Sequence, residues 1–207
     1  MRAKRVFSIL LAAVLALSLL PSAALAEGDG PAGTGWTPLT DAVSGNITST
    51  TNYYLEGDVV LSKYITAVGE GVEVTIDLRG HKLSGAALKT RTNGTLTILD
   101  TVGGGSIEQQ NAIQPEGGTV NIRGGTIDGL SGSAIKTTSS GAMINISGGT
   151  LTSNSTTAAA VYVAGDELHI SGGTIGDENT KYCVQLAEGA ELYLSGEPTF
   201  AWKSGTQ

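Results

Sequence analysis

A parallel β-solenoid is the fold class that this 207-residue sequence predicts, and three periodic columns of residues predict it. Apolar-x-apolar triplets begin at Leu96, Val120, Ile144, Leu168 and Leu192, with Val72-Glu73-Val74 one step upstream. Their interval is constant, and a repeat of about 24 residues is the mark of a stacked array. A glycine turn and a short second strand follow: Gly124-Gly125-Thr126-Ile127, Gly148-Gly149-Thr150-Leu151 and Gly172-Gly173-Thr174-Ile175, with Ser195-Gly196-Glu197-Pro198-Thr199 as a degenerate copy. A third column reads small-aliphatic-polar at Ala87-Leu88-Lys89, Ala112-Ile113-Gln114, Ala134-Ile135-Lys136, Ala160-Val161-Tyr162 and Cys183-Val184-Gln185. Its spacing wobbles from one repeat to the next, which places the length variation in the loop before this strand.

Each repeat thus supplies three short strands and three turns, too little to bury its own apolar face. Stacking the repeats makes one continuous core. Within a triplet, alternation sends the outer two residues inward and the middle one outward. Val120, Ile144, Leu168 and Leu192 are expected to form one inward ladder, backed by Ile122, Ile146, Ile170 and Leu194. The Gly-Gly pairs suit corners at positive φ. Helical periodicity is absent after residue 26, so helical and leucine-rich repeats are disfavoured. About five to six coils are expected, the last incomplete, in an all-β domain over residues 52–207.

The N-terminus reads as an export signal. Arg2, Lys4 and Arg5 precede an apolar run from Phe7 to Leu20, and Ala24-Leu25-Ala26 supplies a small-x-small cleavage site. The run is shorter than the roughly 20 residues of a membrane-spanning helix. Residues 1–26 are therefore expected to be a cleaved signal peptide and 27–51 a lead-in segment. This predicts a secreted or cell-surface-associated protein, with no membrane span once the signal is removed.

Composition narrows the partners. Three of the 12 Lys and Arg lie in the signal and none of the 19 acidic residues does, leaving nine basic groups against 19 acidic ones and a net charge of −10. So acidic a surface repels phosphate backbones, which argues against nucleic acid. A single cysteine, Cys183, excludes an internal disulfide framework and is expected to pack as a small hydrophobe. Gly103-Gly104-Gly105 opens no helix and precedes no Lys-Ser/Thr, so it is not a phosphate loop.

The columns also order the outward side chains. The third column presents Lys89, Gln114, Lys136, Tyr162 and Gln185, where amides, ammonium groups and an aromatic ring suit sugar hydroxyls and sugar faces. It is the candidate glycan-contact face. The triplets present a second outward ladder, Asn121, Asn145, His169 and Tyr193, continued upstream by Thr97. Asp166, Glu167, Glu188 and Glu191 gather at the turn before the triplets. Two carboxylates about 5 Å apart match a retaining-glycosidase separation, and such a corner could instead hold a hard cation such as calcium. A solvated acidic edge is the plainer alternative. Asp100 and Arg123 are placed to form an ion pair between neighbouring coils. His81 and His169 lie more than three repeats apart and cannot share a metal.

Tyr53-Tyr54-Leu55-Glu56-Gly57-Asp58-Val59-Val60-Leu61, then Ile76-Asp77-Leu78-Arg79-Gly80-His81-Lys82-Leu83-Ser84-Gly85, then the Gly-Gly-Thr coils, follow a characteristic order. On these motifs the stretch from Trp36 to Phe200 resembles the pectate-lyase-like β-helix regions of large bacterial surface proteins. The resemblance implies a right-handed parallel β-helix and an adhesive role. The lyases it resembles use calcium-binding aspartates beside a basic residue, and the related hydrolases use clustered aspartates. Neither constellation is found in the columns, so no catalytic residue is assigned and the reading leans against an enzyme. The expected function is a non-catalytic module for adhesion or glycan contact, without a cofactor unless calcium occupies the acidic corner. Its partner would be a polysaccharide or a host or neighbour surface protein. A polysaccharide lyase or glycoside hydrolase of the same fold is one alternative, and a structural spacer of a larger surface protein is another. An uncapped last coil would also allow end-to-end self-association.

Overall fold

A computed structural model describes residues 35–203 except 138 and 140. The signal-peptide reading lies outside these residues. The described chain is all β, with 22 short strands in three parallel sheets and a repeat of about 24 residues. The first sheet contains Trp36–Pro38, Thr51–Tyr54, Glu73–Asp77, Thr95–Leu99, Gly118–Ile122, Ala142–Ile146, Glu167–Ile170 and Glu191–Leu194. The second contains Val59–Val60, Lys82–Ser84, Ser106–Glu108, Thr126–Asp128, Thr150–Thr152, Thr174–Ile175 and Thr199–Phe200. The third contains Gly45–Ile47, Ile65–Val68, Leu88–Arg91, Ile113–Glu116, Ile135–Lys136, Ala159–Val163 and Tyr182–Leu186. The chain visits the sheets in that order, completing about six coils, with strands of partial coils at both ends. Trp36–Pro38 and Gly45–Ile47, within the segment expected as a lead-in, already pair into the first and third sheets.

From Leu96 onward the register is the one that the sequence spacing implies. One coil upstream it differs: Leu96 pairs with Val74 and Ile98 with Ile76, so the inward pair is Val74 and Ile76 in place of the expected Val72 and Val74. Leu96 pairs with Val120, Val120 with Ile144, Ile144 with Leu168 and Leu168 with Leu192. In the third sheet Leu88 pairs with Ile113, Ile113 with Ile135, Ile135 with Val161 and Val161 with Val184, following the uneven spacing of that column. These aliphatics point inward and are fully buried from Leu88 to Leu168, whereas Leu192 and Leu194 of the terminal strand are exposed. Asn121 and Asn145 between them face outward, as alternation requires.

Two devices turn the chain between the first and second sheets. The later coils use the Gly-Gly pair. The second glycine adopts the same φ of 78° at Gly125, Gly149 and Gly173. The first is required by close approach, since a Cβ at Gly148 would lie 2.4 Å from the Arg123 carbonyl oxygen. The earlier coils have longer turns, closed by buried or half-buried carboxylates. Asp77 accepts hydrogen bonds from the backbone N–H of Arg79 at 3.2 Å and of Thr101 at 3.0 Å, and from the Thr101 hydroxyl at 2.7 Å. Asp100 accepts from the N–H groups of Gly80, Gly103 and Gly105. The expected Asp100–Arg123 ion pair is not among the ion pairs of the described residues, because backbone donors occupy both Asp100 oxygens. Cys183 is half-buried, with its Sγ donating to the Ala201 carbonyl at 3.2 Å, and burial pushes its thiol pKa up.

Asp77 therefore staples one coil to the next. Asp77→Ala removes three hydrogen bonds to a buried carboxylate from the half-buried Arg79 and the exposed Thr101, and equilibrium urea unfolding should show a loss of about 1.5–3 kcal/mol. Asn145→Ala, on the solvent face, should stay within about 1 kcal/mol of the parent. Equal losses for the two variants would refute the stapling role.

Candidate functional site

Three surfaces carry the side chains singled out in the sequence. On the third sheet, Lys89 lies beside Gln114 and Lys136 beside Tyr162, which in turn lies beside Gln185. The five divide into two groups. Lys89 Nζ donates to Glu116 at 2.7 Å and lies 5.2 Å from the centre of the Tyr64 ring. Arg91 donates to the other Glu116 oxygen, closing a compact two-coil ion cluster. Gln114 Nε2 donates to the Asn111 carbonyl at 2.9 Å. The polar groups of these two coils engage one another.

Lys136, Tyr162 and Gln185 instead line a hollow of about 340 Å³. Ser133, Thr157, Ala158 and Ala159 complete it. The wall is the loop before Ala159–Val163, where the repeat reaches its greatest length. Ser155 Oγ fixes that loop by accepting from the N–H groups of Thr157 and Ala158, while Ser153 Oγ donates to the Gly132 carbonyl. A second hollow of about 350 Å³ adjoins it across Thr157 and Gln185, lined also by Tyr182 and Val184. Lys136 Nζ lies 6.0 Å from the Tyr162 ring centre, and Lys181 Nζ lies 5.0 Å from that of Tyr182. The sequence reading identified the floor and missed Ser155 to Ala158. The interval from Ala134 to Ala160, the longest in that column, was the available signal that something protrudes there.

The outward ladder of the first sheet is bonded along itself. Asn121 Nδ2 donates to Thr97 Oγ1 at 3.2 Å, and Asn145 Nδ2 donates to Asn121 Oδ1 at 3.0 Å. His169 and Tyr193 continue it as a stacked pair, with ring centres 4.5 Å apart and planes inclined by 11°. The Tyr193 hydroxyl donates to Glu191, and this bond, followed by the charge of Glu191, raises the phenol pKa.

At the acidic corner the register brings Glu167 directly opposite Glu191. Glu167 Oε2 lies 3.3 Å from His169 Nε2. Asp166 turns away into the corner, 4 % exposed, where its Oδ1 accepts the N–H of Ala142 at 2.8 Å. Glu188 stands exposed on the turn before Gly189. Among the described residues no three His, Cys, Asp or Glu side chains converge as a metal-binding group. The four carboxylates follow the corner rather than enclose a point. Among the same residues no helix is long and apolar enough to cross a membrane.

The Glu116 cluster yields a pH dependence. Burial pushes the Glu116 carboxyl up, but hydrogen bonds from Lys89 and Arg91, with their positive charges, outweigh it and hold the pKa below the usual range. A carboxyl lowered on folding adds stability above its unfolded value of about 4.3. That contribution disappears as the pH falls through the lowered folded value. Glu116→Gln should therefore cost about 1 kcal/mol at pH 7, the scale of a partly exposed ion pair. Urea unfolding across pH should show the gap from the parent closing once the pH passes below the ordinary glutamate range. A gap that persists or widens there would contradict this account.

Compared with known proteins, the chain matches no family model, no curated protein and no solved structure.

Proposed function

We propose that this chain is a non-catalytic β-helix module of the cell exterior that contacts glycans through the hollow formed by Lys136, Tyr162 and Gln185. The observation that carries this reading is the coincidence of three outward residues of one sheet with a walled hollow. Flat polar faces bind weakly, and specific small-ligand sites are concave with a few convergent polar groups. The Tyr162 ring offers an apolar face for the C–H side of a sugar. The Lys136 ammonium and the Gln185 amide offer hydrogen-bond partners for hydroxyls, and Thr157 adds another from the wall. Lys89 and Gln114 are outside this contact, since Glu116 and the Asn111 carbonyl already engage them. The N-terminal signal signature supports an exported location, where glycans are available partners.

The test is a glycan panel applied to the purified chain, with binding and product release scored together. Saturable binding without cleavage is expected. Tyr162→Ala should weaken it at least tenfold, in line with about 1.5 kcal/mol for a lost stacking platform. Gln185→Ala should weaken it less. Cleavage of the bound glycan would replace this reading with the glycosidase alternative, which the opposed Glu167 and Glu191 favour. Silence across the panel would favour a spacer.

A further inference from the structure

A trench follows the corner where the third sheet hands over to the first. It encloses about 510 Å³ and crosses five coils, from Asn93 past Thr119, Met143 and Glu167 to Glu191. At about 4.8 Å per coil it is roughly 19 Å long, enough for an extended oligomer. Its floor is bare because the chain turns there through Gly141, Gly165 and Gly189, at φ of 97°, 70° and 80°. A Cβ at Gly141 would meet nothing within 4 Å, so backbone conformation keeps that position bare, whereas at Gly118 a Cβ would lie 2.2 Å from the Gly94 carbonyl oxygen and close approach excludes it.

The charged side chains that line the trench are all carboxylates: Asp166, Glu167 and Glu191. Glu167 and Glu191 sit opposite each other on neighbouring strands, where like charges repel. Asp166 adds an independent sign of a missing partner. It lines the trench at 4 % exposure, and its Oδ2 is buried without any hydrogen-bond donor. A buried acceptor of this kind is completed by a donor from outside the chain, an ordered water or a ligand group. A bare metal ion suits the site poorly, because no three carboxylates converge among the described residues. Carboxylates on two successive coils, at one end of the trench, fit a ligand that carries a positive charge on each of neighbouring units.

We propose that this trench binds an extended glycan bearing free primary amines. Its ammonium groups would meet Glu167 and Glu191, and its hydroxyls the peptide groups exposed at the glycine corners. The stacked His169 and Tyr193 stand two residues along the same strands, outside the trench lining. Each is bonded to its neighbouring carboxylate through one oxygen, and together they give a ring surface beside Glu167 and Glu191. This site is separate from the Lys136–Tyr162–Gln185 hollow, and either can exist without the other.

The test is calorimetric titration of the full chain at low salt with a β-1,4-linked glucosamine hexamer, its fully N-acetylated counterpart and a lysine hexamer. The free-amine glycan should bind at least tenfold more tightly than either of the others. The double substitution Glu167→Gln, Glu191→Gln should weaken it at least tenfold. Met143→Arg, which places a cation at an exposed position of the trench, should do the same and covers failure of the double variant to fold. Tyr162→Ala, at the hollow, should leave it unchanged, which separates this site from the other. Equal binding of the two glycan hexamers, indifference to the trench substitutions, preference for the lysine hexamer or no binding at all would each overturn the proposal.

Discussion

A coil of about 24 residues cannot enclose a core alone, so the structure depends on the in-register parallel pairing of each coil with the next. That pairing satisfies the backbone and stacks like upon like: Leu96 on Val120, Ile144 and Leu168, with their side chains withdrawn from water. A slip of one residue would expose the whole apolar set. The constraint reaches the corners as well. With the strands held in register, any added residue must leave the coil as a loop, and any missing one must be absorbed by a tighter turn.

The candidate sites arise where corners absorb that difference. The turn between the first and second sheets tightens along the chain, from carboxylate-closed loops at Asp77 and Asp100 to Gly-Gly pairs that superpose at one φ. Before the third sheet the length still varies, and the longest insertion becomes the wall containing Thr157 and Ala158. After the third sheet the corner is glycine, and the missing side chains leave a trench. A protruding loop and a recessed corner thus flank the same sheet. The hollow presents Lys136, and the trench presents carboxylates.

The constant interval made the three sheets, their register and the inward ladders legible in the sequence, because a parallel stack translates spacing directly into contact. Asn121 and Asn145 were placed outward for the same reason, and Glu167 opposite Glu191 followed from their lying one full repeat apart. Side-chain engagement within each face was not legible. Lys89 and Lys136 occupy equivalent positions, yet one is bound by Glu116 and the other lines a hollow. That difference depends on Glu116, further along the next strand, and on the insertion beside Thr157, neither of which the column pattern contains. Asp100 illustrates the converse. Its spacing to Arg123 suggested an ion pair, but three nearby backbone N–H groups are better placed donors.

Hydrogen-bond engagement also separates side chains that hold the solenoid from those free to meet a partner. Thr97, Asn121 and Asn145 pass hydrogen bonds along the first sheet, and their ladder needs nothing from outside. Further along, the pattern changes from amides to rings and carboxylates: His169 stacks on Tyr193, and Glu167 and Glu191 lie beside them. The ring pair is itself bonded to these carboxylates, His169 Nε2 to Glu167 and the Tyr193 hydroxyl to Glu191, and the paired carboxylates add like-charge repulsion to the assembled coil. Residues that destabilise the fold, or stay unsatisfied within it, are the informative ones on a regular scaffold. Glu167, Glu191 and Asp166 Oδ2 lie along one corner, while Thr66 Oγ1, the other buried side-chain atom without a partner among the described residues, lies on the third sheet.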